Sequence, residues 1–224
     1  MKHMNLQDPF SSADNQFALQ FLVREPNTTS ETKKAVILLH GVGSNEQDLF
    51  SFSGQFAEDV LVISPRGPYT IGTGSYAWYE VDFSTGKPII NAKQEEKSRK
   101  TLLFFIERLK QHYDLDQVYV GGFSQGAIMS FTLGLTHPAE ITGIIALSGR
   151  ILEEIRPLVQ KDAALQNLKV FLAHGVQDNM LPVGYAREAK AYLESFDVQL
   201  SYHEYQMAHQ INQDVLDDLV EWMG

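Results

Sequence analysis

Polar and apolar positions divide this chain into alternating strand-like and helix-like stretches. The stretch "FALQFLV" (17–23) alternates with a period of two, as a strand with one wet face does. The runs "AVILL" (35–39), "VLVIS" (60–64), "VYVGG" (118–122), "ITGIIALS" (141–148) and "KVFLA" (169–173) are almost continuously apolar. Such runs are expected of parallel strands covered by helices on both faces. "VQLSYHEY" (198–205) closes the series. Between or after the strands, "QEEKSRKTLLFFIERLKQHY" (94–113), "QGAIMSFTLGLTH" (125–137), "VGYAREAKAYLESF" (183–196) and "NQDVLDDLVEWM" (212–223) carry apolar residues at helical spacing. Repeating βα units of these lengths predict an α/β fold: a mostly parallel central sheet of about seven strands, with right-handed crossovers and flanking helices. The connection from Pro65 to Lys93, rich in Gly, Tyr and Trp, breaks the rhythm. Loops of that length in a compact domain are usually functional or mobile.

Composition narrows the classes. With 224 residues, 44% of them hydrophobic, the chain can bury a full core and is expected to form a single domain over 1–224. Residues 1–16 read as a poorly ordered or peripheral N-terminal segment. A net charge of −10 without a Lys/Arg cluster argues against a nucleic-acid partner. The absence of cysteine excludes disulfides, thiolate metal sites and a cysteine nucleophile. The N-terminus lacks an apolar signal core, and no stretch approaches the roughly 18 apolar residues of a membrane span. No stable membrane insertion is expected, and a cytoplasmic location is the default. A homodimer stays open.

The chemistry gathers where strands end. In "VYVGGFSQGAIMS" the pattern Gly122-Phe123-Ser124-Gln125-Gly126 stands between a strand and a helix, the setting of a nucleophile elbow. Serine in a loop is often only a turn former. Here the corner needs very small neighbours two residues away, and the following helix turns its free N–H groups toward any developing oxyanion. A serine nucleophile needs a base and an orienting acid, which in this architecture follow in the order Ser, Asp, His. Asp178, past the strand in "KVFLAHGVQDNMLPV", and His209, in "SYHEYQMAHQIN", meet that order. His203 competes for the base role, but it lies inside a strand with a fixed direction. The histidines of "HEYQMAH" are six apart, unlike the four-residue spacing of a zinc helix, so no metal site is read. In "ILLHGVGSNEQDLF" the amide of Val42 is the candidate second oxyanion donor, with Gly41 and Gly43 allowing close approach. His40, at the end of its strand, reads as a structural hydrogen-bonding histidine. Neither Gly41-x-Gly43 nor Gly72-x-Gly74 completes a nucleotide fingerprint, and no cofactor is implied.

"LLHGVGSNEQD", "GGFSQGA", "LSG", "AHGVQDNMLP" and "YQMAHQI", in that order, resemble the phospholipase/carboxylesterase family of α/β-hydrolases, over about residues 35–223. The family includes acyl-protein thioesterases and small bacterial carboxylesterases; "SPRGPYTIGTGSYAWYEVD" is more similar to the bacterial branch. The resemblance implies Ser124 as nucleophile, Asp178 as acid, His209 as base, and the amides of Val42 and Gln125 as oxyanion donors. An ester of a small molecule is the expected substrate, with a lysophospholipid or acyl thioester as the alternative. A peptidase and a non-catalytic binding protein are the rival classes. The loop aromatics Tyr69, Tyr76, Trp78, Tyr79 and Phe83, with Met180 and Leu181 beside Asp178, suggest an apolar wall. Trp78, Tyr79, Met180 and Leu181 are the expected substrate contacts, though one loop aromatic is often an anchor onto the domain. Only a short connection separates "LSGR" from "KVFLA", so no lid domain is expected.

Overall fold

The computed structural model describes residues 17–82, 84, 88–159 and 163–224. The expected peripheral segment 1–16 and the aromatic Phe83 lie outside the described residues. Strands β1 (Phe21–Arg24), β2 (Lys34–Leu39) and β3 (Val60–Pro65) open the fold, with the short helix α1 (Glu46–Phe50) between β2 and β3. The Pro65–Lys93 connection holds two small hairpins, β4 (Tyr69–Gly72) with β5 (Ser75–Ala77), and β6 (Val81–Asp82) with β7 (Ile89–Ile90). Then follow α2 (Ala92–Tyr113), β8 (Gln117–Phe123), α3 (Gln125–Thr136), β9 (Gly143–Leu147), α4 (Ala163–Gln166), β10 (Lys169–Gly175), α5 (Gly184–Glu194), β11 (Gln199–Tyr205) and α6 (Gln213–Met223).

The seven-stranded sheet runs β1-β3-β2-β8-β9-β10-β11, parallel throughout except for β1, which pairs antiparallel with β3. Strand periodicity sorts its residues. Ala35, Ile37 and Leu39 of β2 face one core, with Leu102, Phe105, Ile106 and Leu109 of α2 and the buried residues of α3 and α5. Val36 and Leu38 face the other, with Leu49 of α1 and Val215 and Leu219 of α6. Each Val, Leu, Ile or Phe side chain among these contributes about 1.5–3 kcal/mol by leaving water. Both faces of the inner strands are therefore dry, which is why β2, β3, β8, β9 and β10 are apolar almost without alternation, while the edge strands β1 and β11 are only partly buried. The β9–β10 connection contains, among the described residues, the 3₁₀ turn Glu153–Leu158 and the single turn α4.

Register levels the carboxyl ends of the strands. Leu39 lies opposite Gly122, and Phe123 opposite Leu147. The segments that leave those ends, at Gly41, Ser124, Ser148, Asp178 and His209, emerge along one edge, where open α/β sheets place their ligands.

Candidate active site

Ser124 joins β8 to α3 at φ 55°, ψ −115°, a conformation a serine rarely adopts. Its amide donates to the Leu147 carbonyl (2.9 Å), and its carbonyl accepts from Ile128 (3.1 Å), so neighbours on both sides hold the corner. The side chain is thereby directed off the strand end. His209 Nε2 lies 3.0 Å from Ser124 Oγ, and His209 Nδ1 lies 2.6 Å from Asp178 Oδ2. With Nδ1–H donating to the carboxylate, Nε2 is the bare nitrogen and accepts the serine hydroxyl.

Two loops carry the acid and the base, and the backbone joins them. Val176 donates to the Tyr205 carbonyl (2.9 Å) and Gln177 to that of Met207 (3.0 Å), continuing the β10–β11 pairing beyond the strands. A Cβ on Gly175 would meet the Met207 carbonyl oxygen at 2.3 Å, so only glycine allows the two loops this close. Asp178 is buried, and its Oδ1 accepts the amides of Met180 and Leu181, both at 2.8 Å. The Phe123 ring packs on the His209 imidazole at 4.6 Å between centroids.

The amides of Val42 and Gln125 donate to no other group among the described residues. Val42 is exposed, while Gln125 begins α3. The loop behind Val42 is pinned by Gly43 N–H to Tyr76 O and Tyr76 N–H to Ser44 O, each 2.8 Å. His40 is fully buried: Nδ1–H donates to the Gly41 carbonyl (2.8 Å) and Nε2 accepts from the Gly67 amide (2.9 Å). Burial pushes its pKa down. It is the structural histidine expected from its position.

The sequence-based substrate contacts divide. Trp78 and Tyr79 are not at the surface: they are 0% and 1% exposed and belong to the main core. That corrects the expectation that they contact substrate, because a side chain without accessible surface offers a ligand nothing. Trp78 donates from Nε1 to the His40 carbonyl (2.9 Å), and burial pushes the Tyr79 phenol up. Met180 is exposed and Leu181 partly so; both support Asp178 through their amides. His203 lies away from the serine, stacked on Phe171 at 5.0 Å and bonded to Ser201 Oγ at 2.8 Å.

Two buried groups were missed by the sequence. The Gln125 carboxamide accepts from the Trp78 amide (2.8 Å) and donates to the Tyr79 carbonyl (2.7 Å). His174 Nε2 donates to the Leu181 carbonyl (2.7 Å) and lies 3.4 Å from Asp178 Oδ2. A strand-end histidine four residues before Asp178 was the only signal for the second; nothing in the chain pointed to the first.

A parallel sheet with a serine corner at a strand end and an acid and a base on later loops has the architecture of an α/β-hydrolase. Residues 22–223 match the phospholipase/carboxylesterase family, and the chain belongs to that family. The acyl-protein thioesterase 1 of Candida albicans is 29% identical over 226 residues, spanning 90% of this chain and 95% of that protein. Esterase PE8 superposes with a TM-score of 0.75 at 26% identity, covering 92% of this chain and 97% of its own. The carboxylesterase of Bacillus cereus does so with a TM-score of 0.79 at 22% identity, covering 93% and 94%. The protein is a hydrolase of the esterase/thioesterase type. No helix among the described residues is long and apolar enough to cross a membrane.

Proposed function

We propose that the protein is a serine hydrolase that cleaves carboxylic esters of short to medium acyl chains through an acyl-enzyme. The observation that carries this is the continuous hydrogen-bonded chain Ser124–His209–Asp178 at a strained strand-to-helix corner. In the reaction, Ser124 Oγ attacks the acyl carbonyl while its proton passes to His209 Nε2. Asp178, held by the Met180 and Leu181 amides, stabilises the imidazolium through Nδ1–H. The carbonyl oxygen becomes an oxyanion facing the unpaired amides of Val42 and Gln125. His209 returns the proton to the departing alcohol, and water repeats the sequence to release the acid.

The exposed side chains of Val42 and Met180, beside the candidate donor and the acid, support an apolar and open rim. A methylene on the acyl chain gains up to about 0.8 kcal/mol while it is buried and nothing beyond. Acyl thioesters are the second reading, favoured by the similarity to the Candida albicans thioesterase. A panel of p-nitrophenyl esters and matched thioesters tests both. We expect kcat/KM to rise through short chains and then level or fall, with Ser124 labelled by a fluorophosphonate. A continuous climb to palmitoyl would reject the open site; full activity in Ser124→Ala would reject the serine mechanism.

A further inference from the structure

We propose that Trp78 is the positioning residue of the oxyanion hole, holding the Val42 loop and the Gln125 turn in a fixed relation to each other. This rests on the assignment of those two amides as oxyanion donors. The two donors come from segments far apart in sequence, after β2 and after β8, and a hole of two amides works only when both converge on one oxygen. Trp78 bonds to both segments. Its indole N–H donates to the carbonyl of His40, two residues before Val42 (2.9 Å). Its backbone N–H donates to the side chain of Gln125, the residue whose own amide is the second donor (2.8 Å).

The brace is itself fixed on every side. The Trp78 carbonyl accepts from Ser98 Oγ on α2, so the residue cannot slide along the core. The Tyr79 carbonyl takes the second hydrogen bond of the Gln125 carboxamide (2.7 Å), giving that side chain a two-point grip on consecutive peptide groups. The indole lies 5.3 Å from the His40 imidazole, whose Nε2 accepts from Gly67 (2.9 Å). A Cβ at Gly67 would stand 2.7 Å from the Ala77 carbonyl oxygen, so the segment leading into the β4–β5 hairpin and the end of β5 meet backbone against backbone there. On the outer side of the Val42 loop, Tyr76 makes the two 2.8 Å bonds to Gly43 and Ser44. The stretch 75–79 thus holds the donor loop from both flanks and the donor helix at its first residue. All the groups involved at Trp78, His40 and Gln125 are buried, so a bond lost here is not replaced by water.

An oxyanion donor matters in the transition state and little in substrate binding, which separates positioning from simple structural support. Trp78→Phe keeps the ring and removes the indole donor. Gln125→Met keeps the length and the backbone amide and removes the two-point grip. In the full-length protein we expect each variant to lower kcat by about tenfold to a hundredfold with KM within about twofold. The affinity for an alkyl trifluoromethyl ketone should fall by the same factor as kcat/KM. Ser124 Oγ adds to the carbonyl carbon of that inhibitor, the hydroxyl proton goes to His209 Nε2, and the former carbonyl oxygen becomes the oxyanion in the hole. The double variant should be scarcely worse than either single, because both act on one geometry. Phe105→Leu, a cavity in the same core at a ring packed on Phe17 and Phe21, should lower the melting temperature and leave kcat and the inhibition constant unchanged.

A folded Trp78→Phe or Gln125→Met with unchanged kcat and unchanged inhibitor affinity overturns the proposal. So does a variant in which kcat falls while inhibitor affinity holds, since the hole would then be intact. Fluorophosphonate labelling of Ser124 keeps the two levels apart. Labelled wild-type protein with indifferent Trp78 and Gln125 variants rejects the brace alone, whereas wild-type activity in Ser124→Ala rejects the mechanism beneath it.

Discussion

A Cβ at Gly126 would lie 1.8 Å from the carbonyl oxygen of Leu39, and one at Gly122 would lie 2.4 Å from the carbonyl carbon of Gly126. The end of β2, the end of β8 and the start of α3 therefore meet backbone against backbone. That closeness keeps Ser124 at its positive φ, where the local penalty is of order 1–3 kcal/mol and must be met by the surrounding packing. Gly126→Ala is expected to lower stability by about 3 kcal/mol or more, because no flexible side chain is there to give way. Gly54→Ala, where a Cβ meets nothing within 4 Å, should stay within about 0.5 kcal/mol of the parent. Urea unfolding of both variants reads the difference. Equal stabilities would mean that the corner opens easily and that its strain does not depend on contact with β2.

The pair Arg66–Glu46 joins the end of β3 to α1. Arg66 Nε donates to Glu46 Oε2 (2.7 Å), a second nitrogen reaches Oε1, and a third reaches Gln20 before β1. The guanidinium also lies 4.6 Å from the centre of the Tyr76 ring, on the hairpin that pins the Val42 loop. Glu46 is buried, and its hydrogen bond to Arg66 holds its carboxyl below the usual range. Removing only the cation strands that carboxylate: Arg66→Met is expected to destabilise by about 2–4 kcal/mol, and the double variant Arg66→Met/Glu46→Leu by less than the single. A double variant worse than the single would show the pair to be net stabilising beyond its own desolvation. None of this was legible in the chain, because helix α1 is too short for periodicity to register and the hairpins β4–β5 and β6–β7 are shorter still. The large elements were legible for the opposite reason. A strand such as "VYVGG" is dry on both faces, and α2 repeats its buried stripe from Leu102 to Leu109. Ser124, Asp178 and His209 were legible because strand ends fix their order and spacing. Trp78 was misread as a wall because sequence shows that an aromatic lies in a loop, and not that the loop folds back to bury it.

Two buried histidines couple this architecture to acid. His40 and His174 are both 0% exposed, and burial lowers the pKa of each. Burial is the largest cause in each and outweighs the hydrogen bonds to the Gly41 and Leu181 carbonyls, and the Asp178 carboxylate beside His174, all of which favour the charged ring. His40 Nε2 already accepts from the Gly67 amide, so a proton there would face another donor. His174 uses Nε2–H on Leu181, and its buried Nδ1 has no partner among the described residues to receive a second N–H. The folded chain thus keeps both neutral below the ordinary value of about 6.5, at which the unfolded chain takes up protons. The unfolded state then binds more protons than the native one, so stability must fall as pH drops below about 6.5, by up to about 1.4 kcal/mol per pH unit for each histidine. Glu95, whose carboxyl is pushed up by burial against the pull of Arg99, has the opposite sign and offsets part of the loss at lower pH. Self-repulsion cannot produce the decline, since a net charge of −10 relaxes toward neutrality on acidification and favours the compact state. Urea midpoints between pH 7.5 and 5.5 should therefore fall, and His174→Phe should remove its share of the slope. A flat profile would mean that the folded protein protonates both histidines, and the tautomers assigned at the Val42 and Asp178 loops would be wrong. If the slope is present, acid should loosen these same two loops, one carrying the Val42 amide proposed as oxyanion donor and the other the carboxylate bonded to His209.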